Sequence, residues 1–399
     1  MKQVVKIVWI LCFQLVIFIY SNAQEGSFDQ IAKKITSFNF KQLAGGVILL
    51  KAQFSDFADS LNFILDTGSG GVSLDSTTLS KFNITPIGSE QTIVGIGGIR
   101  KVSFVNNKRL VLPGLSIDSL NFHINDYEIL SNFYGEKIDG IIGYSVLSRY
   151  IFQINFDSTC IHIYTKGKIK YPKGGWLYNP ILYKIPIQEA KIYDATIVEA
   201  RFLFDIGAGL SLMLNKAFVN ENKFIKIKKE LFAHSVVGIG GAVDLQLTVI
   251  KRLQIGPYKF NNIPTLIFED SYNVTSYPYL FGIIGNDLLR RFNLTLNYAN
   301  REFYFIPNTH YNDFFDYAYS GAELYLLGNK IVISNVAKNS PAEKAGLKEG
   351  DIIISVNNFM NQNLQAYKQL LQATGDKIKM IVQRDYSLHQ FEFKIKSIL

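Results

Sequence analysis

From residue 44 to residue 308 the apolar residues fall in short runs or in strict alternation, with Gly, Asn, Asp and Pro between them. Phe63-Ile64-Leu65 is a short apolar run, and Thr159-Cys160-Ile161-His162-Ile163-Tyr164 alternates with period two. Both patterns predict β-strands. Cys160, inside the alternating stretch, is expected to pack as a small core hydrophobe. The clearest helical stretches are brief, Ser145 to Tyr150 and Asp287 to Phe292.

The pattern is written twice. Phe63-Ile64-Leu65-Asp66-Thr67-Gly68-Ser69 returns as Phe202-Leu203-Phe204-Asp205-Ile206-Gly207-Ala208, 139 residues later. Val94-Gly95-Ile96-Gly97-Gly98 returns as Val237-Gly238-Ile239-Gly240-Gly241, and Gly140-Ile141-Ile142-Gly143 as Gly282-Ile283-Ile284-Gly285. The tails Ile154-Asn155-Phe156 and Leu296-Asn297-Tyr298 also agree. Three motifs in one order at near-constant offset mark a duplicated unit. The division this predicts is one lobe over 44–165, a linker over 166–180, a second lobe over 181–308, a second linker over 309–319, and a last domain over 320–399.

The first residues carry a different signal. Lys2 and Lys6 precede an apolar run from Ile7 to Tyr20 broken only by Gln14, and Ser21-Asn22-Ala23 supplies small residues. This is the layout of a secretory signal peptide over 1–23, shorter than the about 20 apolar residues that a membrane span needs. The expectation is Sec export to a periplasmic or secreted location, with no membrane span in the mature chain. Cleavage after Ala23 takes away Cys12 and two lysines, lowering the formal charge from +8 to +6 and leaving Cys160 as a lone thiol. Residues 24–43 are expected to form a leader segment, either a short inhibitory propeptide or a leader helix before the first strand.

Composition narrows the class. With 30 Phe and 22 Tyr in 399 residues, the chain cannot be mainly disordered. Two cysteines and five histidines exclude a disulfide framework and a Cys-rich zinc fold. The basic charge is spread without a nucleic-acid module, and Lys223 to Lys229 reads as a solvated face. The glycine turns lack the Gly-Lys-Ser/Thr ending of nucleotide loops. No His-Glu-x-x-His pair, Gly-x-Ser-x-Gly elbow or Ser/His/Asp arrangement is recognisable, so zinc and serine hydrolases lack their parts.

What remains is an Asp delivered by a buried strand into a Gly turn, twice. If a pseudo-twofold axis brings Asp66 and Asp205 together, the two carboxylates share a proton and titrate as a pair. One then serves as base toward a water while the other polarises a carbonyl. The two Asp turns resemble the active-site signatures of aspartic proteases, and the Gly-rich turns resemble the flap tips of retropepsins. The segment from Gly282 to Tyr298 is similar to the retropepsin C-terminal strand and helix. This resemblance implies a mainly β, bilobal fold of two barrel-like lobes related by a pseudo-twofold. It implies an aspartic endopeptidase with Asp66 and Asp205 catalytic and Thr67, Gly68, Ser69, Gly207 and Ala208 supporting the dyad. It further implies two flaps, Gly95, Ile96, Gly97 and Gly98 with Gly238, Ile239, Gly240 and Gly241, closing on a peptide or protein substrate. No metal or cofactor is expected, and a fused pair needs no dimerisation to act. The family carries Thr after each Asp, and the two hydroxyls cross-brace the loops; here Ile206 replaces one, which leaves a catalytically impaired, peptide-binding scaffold as the alternative. Ser69 is placed to hydrogen-bond its own Asp, which predicts Asp66 as the more acidic partner.

At the C-terminal end, Ser340-Pro341-Ala342-Glu343-Lys344-Ala345-Gly346 predicts a capped, Gly-stopped helix before a strand at Ile352 to Val356. This segment resembles the core of bacterial PDZ domains, an α/β fold. The resemblance implies a second helix over Asn363 to Ala373, a carboxylate-binding loop at Gly321, Ala322, Glu323 and Leu324, and a C-terminal or extended peptide as ligand.

Overall fold

The computed structural model describes residues 30–226, 228–238, 240–275 and 279–399. The expected signal peptide and the start of the expected leader lie outside the described residues. Among those described, no helix is long and apolar enough to cross a membrane.

Each lobe is an eight-stranded sheet that closes on itself. In the first, the order is Lys41–Gln42, Ile48–Phe54, Leu61–Leu65, Gly140–Ile142, Val72–Asp75, Leu115–Asn125, Gly98–Leu112 and Ile87–Gly95. Ile48–Phe54 also pairs with Gly98–Leu112, which makes the sheet barrel-like. The second lobe repeats this strand for strand: Ile181–Leu182, Pro186–Tyr193, Ile197–Asp205, Gly282–Gly285, Leu212–Asn215, Tyr258–Phe268, Gly241–Ile255 and Phe232–Gly238. Pro186–Tyr193 closes on Gly241–Ile255. The short apolar runs form the innermost strands because both faces are covered: Phe63 and Leu65 in one lobe, Phe202 and Phe204 in the other, are buried in one continuous core.

A third, six-stranded sheet joins the lobes, in the order Lys34–Asn39, Cys160–Tyr164, Ile151–Asn155, Phe292–Asn297, Glu302–Pro307 and Trp176–Tyr178. Its two central strands are the duplicated tails, paired antiparallel with Ile151 opposite Asn297 and Ile154 opposite Leu294. The pseudo-twofold axis runs between them. The sheet corrects two expectations. Residues 34–39 form its outer strand on one side, not a leader helix, with Phe38 opposite Ile161. Residues 176–178 form the outer strand on the other side, so the segment 166–180 is not a plain linker. The two outer strands begin 142 residues apart, so each duplicated unit starts with one of them.

Smaller differences have local causes. Lys229 does not sit on a solvated face; its ammonium turns in to the Asp194 carboxylate and donates to the Val249 carbonyl oxygen at 2.6 Å. Cys160 is half-buried, because it shares the outward face of its strand with His162 and Tyr164 while Ile161 and Ile163 face the core. The short helices after the Ile-Ile-Gly runs are Tyr144–Leu147 and Asn286–Leu289.

The last domain is a five-stranded sheet, Ala322–Leu327, Lys330–Val336, Ile352–Val356, Lys377–Arg384 and Ser387–Lys394 in that order, with helices Pro341–Ala345 and Leu364–Leu370. The Ser340 hydroxyl caps the first helix by accepting from the Glu343 amide, and Gly346 ends it in a left-handed conformation. Asn363 caps the second by accepting from Ala366. Ala322, Glu323 and Leu324, expected in a loop, lie instead in the edge strand, and only Gly321 precedes it. The tight turn between Leu327 and Lys330 holds that strand in hairpin register with Lys330–Val336. Before this domain the chain does not run free: Arg291, 1% exposed, donates to the carbonyl oxygens of His310, Asp313 and Phe314 and stacks over the Phe315 ring. Tyr319, the last residue of the expected second linker, is a strand residue paired with Lys396.

Candidate active site

Each candidate carboxylate stands where a buried strand leaves the core. Leu61–Leu65 runs parallel to Gly140–Ile142, and the Asp66 amide donates to the Ile142 carbonyl at 2.9 Å. Ile197–Asp205 runs parallel to Gly282–Gly285 in the same way. The turns that follow are tied by their own Asp: the Gly68 amide donates to Asp66 Oδ1 at 2.6 Å, and the Gly207 and Ala208 amides donate to Asp205 Oδ1 at 2.8 and 3.1 Å.

The pseudo-twofold sets these turns face to face. A Cβ on Gly68 would lie 2.5 Å from Asp205 Oδ2, and one on Gly207 would lie 2.5 Å from Asp66 Cγ. Each glycine is therefore the space into which the other lobe's carboxylate fits, and no larger residue is compatible with the approach. The two side chains hydrogen-bond each other. Burial pushes Asp66 well above its ordinary value, and the neighbouring Asp205 charge adds to this. Burial also raises Asp205, but the Asp66 side chain and the backbone amides of Gly207, Ala208 and Gly68 oppose the rise. The two carboxylates titrate as one coupled pair that shares a proton. Ser69 meets Asp66 through its backbone amide, whereas on the other side Asp205 gathers more donors.

Thr67, 2% exposed, joins the lobes beneath the carboxylates. Its hydroxyl donates to the Phe204 carbonyl at 2.6 Å and accepts from the Ile206 amide at 3.0 Å. Ile206 is also 2% exposed and offers only its backbone to this brace; its side chain joins the core. One hydroxyl holds both loops from one side.

Above the dyad, hairpins Ile87–Gly95 with Gly98–Leu112 and Phe232–Gly238 with Gly241–Ile255 bring their tips together. A Cβ on Gly97 would sit 2.5 Å from the Gly241 nitrogen, and one on Gly240 would sit 2.2 Å from the Gly98 nitrogen. The backbones touch, and the hairpins are closed on each other. Ile96 packs with the second lobe's core and against Gly238. Gly95 and Gly98 form the closing pair of the first hairpin, Gly238 and Gly241 of the second; Ile239 lies outside the described residues.

Two residues near the site carry no signal in the duplicated motifs. Arg100, just past the first tip, donates to the Gly240 carbonyl oxygen at 3.4 Å and so latches one hairpin to the other. Tyr134 ends the helix Glu128–Tyr134, which the described residues of the second lobe do not repeat, and it is buried near enough to both carboxylates for their charge to raise it further. A duplication search cannot find a residue present in one copy only.

Comparison with known proteins agrees with this geometry. The profile of a family described as aspartyl protease matches residues 51–146 and again 189–288, and that of the PDZ domain matches 332–384. A stretch of 79 residues is 39% identical to the carboxy-terminal processing protease CtpB of Bacillus subtilis (strain 168), covering 19% of this chain and 16% of that protein. Another match, 34% identical over 82 residues, is to the probable CtpA-like serine protease of Staphylococcus saprophyticus, covering 20% of this chain and 17% of that one. The chain thus spans less than a fifth of the length of these curated relatives. Built on a dyad of facing strand ends, the chain carries an aspartyl protease domain, matched once in each lobe, and a C-terminal PDZ domain.

Proposed function

We propose that this protein is an exported aspartic endopeptidase, with one active site formed by Asp66 and Asp205 and a PDZ domain that recruits substrate or partner tails. The observation that carries the reading is the reciprocal fit of each carboxylate against the other loop's glycine. In this mechanism Asp205, held ionised by backbone amides, takes a proton from a water, and the water oxygen adds to the scissile carbonyl carbon. Asp66 gives its proton to the carbonyl oxygen, which stabilises the developing charge. Collapse of the tetrahedral species breaks the C–N bond as the nitrogen takes up a proton from the dyad. The flap hairpins must part to admit an extended peptide and close again over it. Export rests on the Met1 to Gln24 pattern, and N-terminal sequencing of the mature protein tests it: a chain still beginning at Met1 would remove that part.

The activity is tested with a mixed peptide library from pH 3 to 8, beside Asp66→Asn and Asp205→Asn. Turnover should show an acid optimum and fall by roughly 10²–10⁴-fold or more in each variant. Turnover untouched by both substitutions would exclude an aspartic mechanism. The buried Ile206 in place of a hydroxyl supports a second reading, a scaffold that binds peptides without cutting them. That reading wins if the natural chain is inert at every pH and Ile206→Thr alone starts turnover.

A further inference from the structure

A PDZ groove lies between an edge strand and the second helix, and in this chain a first-lobe helix contacts both of its walls. The edge strand Ala322–Leu327 is paired on one side only, with Lys330–Val336. The first-lobe helix Glu128–Tyr134 packs on this strand and is bonded by the helix Leu364–Leu370. The contact is specific. A helix leaves its last carbonyls without partners inside the helix, and here the PDZ domain supplies them. Gln365 Nε2 donates to the Tyr134 carbonyl at 2.7 Å, and Lys368 Nζ donates to the Phe133 carbonyl at 2.6 Å. The Phe133 ring stands edge-on to Tyr325 of the edge strand at 5.8 Å, with the Lys368 ammonium over its face at 3.8 Å. The helix then stops at Gly135, where an added Cβ would meet Leu364 Cβ at 3.3 Å.

The same helix reaches the proposed active site from its other faces. It packs on the flap strand Phe232–Gly238, and the buried Tyr134 places its hydroxyl beside Gly209, four residues past Asp205. Glu323 of the edge strand lies 3.5 Å from His234 of that flap strand. Whatever takes the groove from this helix therefore removes a support of one flap and of the loop next to one catalytic carboxylate.

We propose that the helix Glu128–Tyr134 is an internal ligand of the PDZ groove, and that a peptide with a free C-terminal carboxylate enters only by displacing it. Groove filling and the opening of the second-lobe flap are then linked. The inference rests on the PDZ contact and not on turnover, so it is tested in an Asp66→Asn chain that leaves the probe uncut.

The test uses the full chain with Cys12→Ser and Cys160→Ser, and with Gly135→Cys paired to Leu364→Cys, whose Cβ atoms lie close to disulfide spacing. The probe is a pool of fluorescent ten-residue peptides with free C-terminal carboxylates and randomised last three positions, read by anisotropy. The cysteines should cross-link on mild oxidation, the oxidised chain should lose probe binding at least tenfold, and reduction should restore it. Phe133→Asp, without the cysteines, should bind the probe at least tenfold more tightly than the parent chain. Hydrogen exchange in the flap strand Phe232–Gly238 should quicken when the probe binds. Equal binding by oxidised and reduced chains, failure to cross-link, no gain in Phe133→Asp, or no probe binding by any form would overturn the internal-ligand proposal. Unchanged flap-strand exchange in the probe-bound chain would overturn the link to the cleft.

Discussion

Two carboxylates in the same protein are driven in opposite directions by what surrounds them. For Asp66, burial and the Asp205 charge act together and raise it well above 3.8. For Asp75, burial would do the same, but Lys137, the Thr77 hydroxyl and the Tyr127 amide outweigh it and hold the carboxyl below its ordinary value. The sign of each follows from which state binds more protons. From about pH 4 upward the folded chain retains a proton on Asp66 that the unfolded chain has released, so this group's contribution to stability is lost as pH rises through the raised value. Asp66→Asn removes that loss. Its melting temperature should exceed the parent's above about pH 5, with the gap closing toward about pH 3; parallel curves across that range would show that Asp66 titrates normally. At the next residue, Thr67→Val strands the Phe204 carbonyl and the Ile206 amide, costing about 1–3 kcal/mol for each group left unpaired. Thr67→Ser should keep most of that stability in a urea melt. A Thr67→Val chain as stable as the parent would mean that the lobes do not depend on this brace.

Among the elements, the duplicated ones are not supported in duplicate ways. The helix Ser76–Lys81 is capped by Asp75, whose side chain is fully buried and also receives Lys137 Nζ at 2.6 Å. The matching helix Lys216–Glu221 is capped by the neutral Asn215, which donates to the Thr275 hydroxyl at 2.7 Å. The first lobe therefore depends on an ion pair where the second does not. Lys137→Met leaves a buried carboxylate without its cation but with its Thr78 and Tyr127 donors, and should cost about 1–3 kcal/mol. Asp75→Asn in the same chain should recover much of it, because it recreates the second lobe's arrangement. Chemical denaturation of the single and double variants reads this; no recovery in the double variant would mean that lost packing of Lys137 dominates. The helix Glu128–Tyr134 is the other asymmetry, and it gives the first lobe its contact with the PDZ domain.

For the whole molecule, the question is how a third domain is held at one side of a symmetric pair. The segment before it is pinned by Arg291, whose buried guanidinium gathers three carbonyl oxygens from residues 310–314. Beyond it, Tyr319 donates to the Ala233 carbonyl at 2.7 Å, and Lys396 pairs with Glu230 at 2.6 Å, so the domain is also fastened along the second-lobe flap hairpin. Arg291→Met keeps the apolar stem but frees those carbonyls. Limited proteolysis should then cut between residues 309 and 317 at least tenfold faster, with the lobes otherwise intact. Unchanged resistance would mean that the segment is held by other contacts, such as those of Tyr319 and Lys396.

The sequence by itself determined the strands, the duplication and the two Asp turns, because strand alternation, glycine turns and a repeat at fixed offset are all local or directly comparable signals. It also determined the first PDZ helix, through Ser340 and Gly346, since caps act within a few residues, whereas the second came only from the family resemblance. It did not determine that residues 34–39 and 176–178 are equivalent outer strands, because their shared role lies in pairing with strands more than a hundred residues away. Nor did it show how the donors are shared: Ser69 meets Asp66 through its backbone amide, and the amides of Gly207, Ala208 and Gly68 gather on Asp205. Only the tertiary structure decided that the flaps meet backbone to backbone, that Arg100 latches them, and that a helix of the first lobe bonds to the second PDZ helix. Each of these depends on groups from distant segments meeting at hydrogen-bond range, which no local pattern in the chain encodes.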